Sequence, residues 1–202
     1  MIAPRPDFDP LVLKAMAKWP DVPECYGWLA LDRRGNWRLQ GEIVRHARAI
    51  DFLNRHYTHT EDGRWYVQNG PQRVFVDLAC TPLVCREDAP GRLVAHTGGP
   101  LGAPAAVILI EDDALVLATD SGPALLDDRD LIRFTAALAL PDGALAGDAL
   151  LARILDEPAF MPDRLCWHAA RPAFLRLPAA ALPGRYGYVT APRPATCGAV
   201  HG

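Results

Sequence analysis

The chain never stays apolar for long. Its longest apolar run, Ala103 to Ile110, is stopped by Glu111-Asp112-Asp113. Shorter runs end at steps such as Asp62-Gly63, Asn69-Gly70-Pro71 and Asp120-Ser121-Gly122-Pro123. Each of these residues turns the backbone for its own reason. Glycine accepts positive φ, proline fixes φ, and Asn or Asp bonds its own backbone. Runs this short suit the strands of a sheet and are too short to span a bilayer. The punctuation therefore restricts the chain to short strands and tight turns, with helices only where the spacing changes.

The spacing changes twice. Trp28-Leu29-Ala30-Leu31 reads as a strand, Asp32 to Asn36 as a turn, and Trp37-Arg38-Leu39 as the returning strand. From His46 to Tyr57 the apolar positions Ala47, Ile50, Phe52 and Leu53 fall at helical intervals. Further strands are expected at Trp65–Val67, Arg73–Asp77 and Leu83–Cys85. The second half repeats this order. Val107–Ile110 and Leu115–Ala118 read as strands, a second turn covers Asp120 to Pro123, and a helix capped by Asp127 or Asp128 runs through Leu131, Ile132, Phe134 and Leu138. An Asp-Gly turn follows each helix. A further helix is expected over Gly147–Asp156, stopped by Pro158, and an edge strand over Ala173–Leu177.

The expectation is an α+β fold of two similar sheet-plus-helix sub-structures, mainly antiparallel, packed through their apolar faces. It divides the chain into an N-terminal arm with a short helix (1–24), a first half (25–90), a Gly/Pro-rich linker (91–104), a second half (105–190) and a flexible tail (191–202).

Residues 27 to 85 carry a recognisable pattern: Asp32, Gly35, Trp37, Gly41 and Ile43, then Phe52, Asp62-Gly63 and Gly70-Pro71-Gln72-Arg73, then Val74, Val76, Asp77, Ala79 and Pro82. This resembles an uncharacterised proteobacterial domain-of-unknown-function family of the 1285 type. Two residues separate Asp32 from Gly35 where that family has Asp-Gly, and Gln72 stands at its acidic position. The resemblance implies two similar sub-structures made from repeated motifs and a role in signalling or regulation. It carries no catalytic residues.

Composition excludes some partners. The 202 residues carry a formal net charge of -3. Arginines alternate with acids, as in Asp127-Asp128-Arg129-Asp130, so there is no basic stripe for nucleic acid. No basic segment followed by an apolar one opens the chain. The expected location is the cytoplasm, with no membrane partner. The five cysteines, Cys25, Cys80, Cys85, Cys166 and Cys197, show no C-x-x-C spacing and read as free thiols.

Several features are candidates for chemistry. The loop Gln68 to Arg73 gathers carboxamides and a guanidinium between two apolar strands. Asn69, Gln72 and Arg73 suit a small anionic ligand, with Trp65 and Tyr66 as a wall. The competing reading is a hairpin loop that satisfies its own backbone. His56 and His59, with Glu61 or Asp62 as a further ligand and His46 nearby, have spacing compatible with a divalent metal, against the plainer reading of solvated residues at a helix end. Trp28, Trp37 and Trp65 offer either an aromatic surface or core packing, and the latter buries more apolar area. Cys80 and Cys85, with Arg86 beside them, read as structural thiols. The glycine-rich Thr97 to Gly102 lacks the Lys-Ser/Thr of a phosphate cradle, and turn chemistry explains Asp112-Asp113.

With no catalytic constellation in view, the leading reading is a ligand- or protein-binding module using Asn69 to Arg73, without a cofactor. The alternatives are a small hydrolase or metal-dependent enzyme using His56 and His59, and an oligomeric structural protein.

Overall fold

A computed structural model describes residues 8 to 194. Pro10 opens helix α1 (Pro10–Lys18), where its missing N–H costs nothing, and Trp19 caps it ahead of Pro20. The first sheet follows: β1 (Cys25–Leu31), β2 (Trp37–Leu39), β3 (Glu42–Ile43), helix α2 (Ala47–Arg55), β4 (Tyr57–His59), β5 (Trp65–Asn69) and β6 (Gln72–Leu78). Its strand order is β3-β2-β1-β6-β5-β4, with β1 and β6 parallel and the other pairs antiparallel. Asp32 closes the β1–β2 turn by accepting from the backbone N–H groups of Arg34 and Asn36 at 2.9 Å.

The second sheet uses β7 (Leu83–Ala89), β8 (Arg92–Ala95), β9 (Pro100–Leu101), β10 (Ala106–Leu109), β11 (Leu115–Thr119), β12 (Gly122–Leu126) and the later β15 (Ala173–Arg176). Between β12 and β15 lie α3 (Leu131–Ala136), β13 (Leu138–Ala139), α4 (Gly147–Asp156) and β14 (Cys166–Trp167), with β13 and β14 paired as a ribbon. Helix α5 (Leu182–Tyr186) ends the described elements. The order is β15-β10-β11-β12-β7-β8-β9. Strands β10, β11 and β12 are buried almost throughout, so they read as continuous apolar runs and not as alternation. One core joins the two sheets, with Leu31, Trp37 and Val76 from the first and Ile108, Leu117 and Leu125 from the second. The fold is α+β. Among the described residues no helix is long and apolar enough to cross a membrane.

Several local expectations shift. Leu83–Ala89 pairs in parallel with β12 and so belongs to the second sheet. The stretch 91–104 carries β8 and β9 at that sheet's edge, so the sheets divide at about residues 79 to 82. The expected turn Asp120 to Pro123 runs on into β12. Its Pro123 and Ala124 have weak strand propensity, and pairing with β11 and β7 supplies what propensity lacks.

Ile132, expected on the buried face of the second helix, is 80% exposed, whereas Phe134 is fully buried. In α2, Ile50, Phe52 and Leu53 are half-buried. The two helices α2 and α3 are not equivalent. Their surroundings differ, because β4 extends the first sheet while β13 pairs with β14 outside the second. The N-terminal residues 1–7 and most of the expected tail, including Cys197, lie outside the described residues.

Candidate functional site

The hairpin β5–β6 separates the residues its sequence grouped together. Neighbours on a strand point to opposite faces, so Trp65 and Val67 face one way and Tyr66 the other. On the Tyr66 side the Arg73 guanidinium lies 5.3 Å from the tyrosine ring centre and 3.6 Å from a Glu24 carboxylate oxygen. Gln72 donates its side-chain amide to the Pro23 carbonyl at 3.0 Å. The buried Gln68 donates to the Gly70 carbonyl at 2.9 Å, closing the loop on itself. Asn69 is exposed and borders an apolar groove over Leu29, Val67 and Val74. The strand pairing divides the five residues of the expected ligand set: Asn69 and Gln72 alternate onto the Trp65 face, Arg73 onto that of Tyr66, and Trp65 itself faces the space between the sheets.

The histidines also separate. His56 is fully buried at the end of α2. Its Nδ1 lies 2.8 Å from the Phe52 carbonyl and its Nε2 accepts from the Asp9 backbone N–H at 3.3 Å, so both nitrogens are engaged. His59 turns toward Trp65, the two ring centres 4.8 Å apart. Its Nδ1 lies 2.9 Å from the Thr60 carbonyl. In the neutral ring that bond requires the proton on Nδ1, which leaves Nε2 as an acceptor. His46 is the N-cap of α2 and makes no side-chain capping bond. Among the described residues no group of three or more His, Cys, Asp or Glu side chains is arranged to hold a metal ion.

The described cysteines are free thiols. Burial pushes the Cys80 and Cys85 thiols up, away from the reactive thiolate. Arg86 follows Cys85 on β7 and points to the opposite face. Of the three strand tryptophans, Trp37 and Trp65 are buried, but Trp28 is 52% exposed on the outer face of β1.

Two cavities meet at Trp65. The larger, about 340 Å³, lies between the β4–β5 turn, the β11–β12 hairpin and the end of α5, and includes His59, Glu61, Thr119 and Tyr186. The smaller, about 230 Å³, lies toward β8 and β9 and includes Asn54, Tyr57, Thr97 and Leu101. Trp65 and Ser121 border both, so the two cavities adjoin at the indole, and the pair is called the cleft below. Together they combine an aromatic wall with a few convergent polar groups, the usual make-up of a small-molecule site.

Glycines shape the cleft. Gly63 has φ of 79°, and a Cβ there would lie 2.1 Å from the Gly187 carbonyl oxygen. Val189 N–H donates to the Gly63 carbonyl at 3.0 Å, fastening the C-terminal segment to the β4–β5 turn. The buried tyrosines are fixed by their hydroxyls, Tyr57 donating to the Pro82 carbonyl and Tyr188 to the Cys80 carbonyl, each at 3.0 Å. Burial raises both phenols, so they stay protonated donors. In the sequence Trp65, the turn at Ser121 and the loop at Gly99 are separate features. Tyr186 and Tyr188 gave no signal, because α5 is too short to show periodicity.

Beside the cleft the same interface is closed. His96, on the β8–β9 turn, packs edge-on against Trp37 and Tyr57 at 5.5 and 5.6 Å. Val84 N–H donates to its Nδ1 at 3.3 Å, and Nε2 is buried without a partner. Burial holds this imidazole down to about 4, so it is neutral at ordinary pH. Trp37 Nε1–H donates to Asn54 Oδ1 at 2.7 Å, and Asn54 donates on to the His96 carbonyl at 3.3 Å, tying the sheets together.

Among solved structures, the chain is similar to a DUF1285 family protein from Silicibacter pomeroyi DSS-3, with 16% identity over 67% of this chain and 88% of that one, and a TM-score of 0.46. A DUF1285 family protein from Shewanella baltica OS155 aligns with 15% identity over 53% of this chain and 89% of that one, at a TM-score of 0.38. Both are of the type whose motifs residues 27 to 85 resemble. No curated protein matches the chain. The family model that matches spans residues 8–193, far beyond those motifs, and the chain belongs to the family described as "Protein of unknown function (DUF2946)".

Proposed function

We propose that this protein is a small-molecule-binding module whose ligand lies along Trp65 in the cleft between the two sheets. The observation that carries the reading is the pair of cavities sharing Trp65 and Ser121 as a common wall. At about 340 and 230 Å³ they suit a metabolite of modest size. His59 Nε2, the Ser121 hydroxyl and Glu61 supply polar contacts at one end, and Leu101 with Leu83 an apolar surface at the other. The cleft spans elements of both sheets, so an occupant bridges them, and this is the physical basis for a regulatory role.

The expected anion-binding loop supports this reading less well, since Arg73 already lies over Tyr66 and pairs with Glu24. Hydrolytic chemistry through His56 and His59 is not favoured either, because the rings face different surroundings.

Saturation-transfer NMR with a mixture of low-mass polar aromatic and amine fragments tests the proposal. Binding fragments should lose their signals in Ser121→Trp, which fills the wall between the cavities. Identical hits in the variant, or none in the wild type, would defeat the reading.

A further inference from the structure

The two cavities that meet at Trp65 are rich in aromatic rings and poor in positive charge. Their lining residues include neither lysine nor arginine, although the chain holds 21 such residues. Rings reach them from several elements: Trp65 from β5, Tyr57 and His59 from β4, and Tyr186 and Tyr188 from α5 and its exit. One carboxylate, Glu61, borders the larger cavity. A second, Asp120, stands at the β11–β12 turn, 3.4 Å from the Ser121 hydroxyl, and also accepts from Gly102 N–H at 3.3 Å. The arginines nearby do not line the cavities. Arg64 is held by Asp62 at 2.8 Å, and Arg185 lies 5.9 Å from the Tyr186 ring without lining either cavity.

An aromatic face carries negative charge density, most strongly in indole, and attracts a cation that has shed its water. A carboxylate at the rim adds Coulomb attraction, and the missing arginines remove the repulsion a cation would otherwise meet. The neutral form of His59 works in the same direction: with its proton on Nδ1 facing Thr60, Nε2 offers a lone pair. An anion would find no lysine or arginine lining the cleft.

We infer that the ligand of this cleft is a small organic cation, an alkylammonium or quaternary ammonium group that sits against Trp65 with Glu61 at its edge. The inference rests on the cleft reading above and adds the charge of the ligand to it.

Chemical-shift titration of the full chain with tetramethylammonium and with choline tests the point, with 3,3-dimethylbutan-1-ol as the neutral isostere of choline. Both cations should bind, and choline about ten-fold more tightly than its isostere. Glu61→Gln, a change at an exposed position, should weaken the cations several-fold and leave the isostere unchanged. Trp65→Phe should weaken the cations further while keeping the fold. Equal binding of choline and its isostere, or cation binding indifferent to Glu61→Gln, overturns the cationic assignment and leaves the cleft reading standing. Absence of cation binding overturns it as well. In that case the Ser121→Trp comparison of fragment hits shows whether the cleft reading survives.

Discussion

The interface between the two sheets has a closed half and an open half, built from similar parts. In the closed half His96 is wedged against Trp37 and Tyr57, and Asn54 stitches indole to turn carbonyl. In the open half His59 stands against Trp65, and the opposing surface is the small, turn-bound Thr119-Ser121-Gly122 edge of a hairpin. Tyr57 serves both, edge-on to Trp37 at 5.0 Å and tilted against Trp65 at 4.8 Å. The difference lies in what the second sheet presents. A histidine ring fills the gap on one side, while serine, threonine and glycine leave it empty on the other. Aromatic residues alone therefore do not define a site; the size of the side chain facing them does.

If the closed half holds the sheets together, Trp37→Ala should produce the largest loss. Removing a fully buried indole costs about 3–5 kcal/mol and leaves Asn54 Oδ1 without its donor. Urea unfolding measures it, and a loss below about 1 kcal/mol would place the strength of the interface elsewhere.

The pH dependence of stability sharpens the contrast. His96 has a folded value of about 4, below the ordinary 6.5. Between these values the unfolded chain binds the extra proton, so stability falls as pH drops from 6.5 toward 4, by about 3 kcal/mol in all. The slope should disappear in His96→Gln, whatever that variant's stability at neutral pH. An unchanged slope would show that His96 is not its source.

Gly63→Ala tests the floor of the open half. The positive φ and the 2.1 Å approach to Gly187 give an expected loss of about 2–3 kcal/mol, with a perturbed cleft. Thermal unfolding, together with fragment binding, reads both effects. Arg73→Ala should have the smallest effect, below about 1 kcal/mol, because its ion pair with Glu24 is exposed, and it should leave binding at Trp65 unchanged. Loss of binding in this variant would return the anion-binding loop to first place.

Local signals in the sequence carried the fold well where the chain itself decides the structure. Helix α4 falls over Gly147–Asp156 as its spacing predicts, and β15 lies at a sheet edge as expected. The signals weakened where partners decide. Strand β12 depends on β11 and β7 for its pairing, and β8 and β9 hide in a Gly/Pro-rich stretch because they are short edge strands with little alternation. Ile132 sits at helical spacing from apolar neighbours yet is exposed, since spacing alone does not set which way a one-and-a-half-turn helix rolls.

The site was legible only in fragments. Trp65 is conspicuous by type, but the loop beside it groups its polar residues only by adjacency in sequence, which strand alternation undoes. Thr119, Ser121 and Tyr186 border the same cavity from more than fifty positions away, brought in by parallel pairing and by the close approach of Gly63 to Gly187.

Side-chain NMR of the five tryptophan indoles and the histidine rings during a tetramethylammonium titration is the most direct test. Shifts at Trp65 and His59, with Trp37 and His96 still, are the predicted result. Shifts of equal size at all four, or none at Trp65, would contradict the division of this interface into a filled half and a binding half.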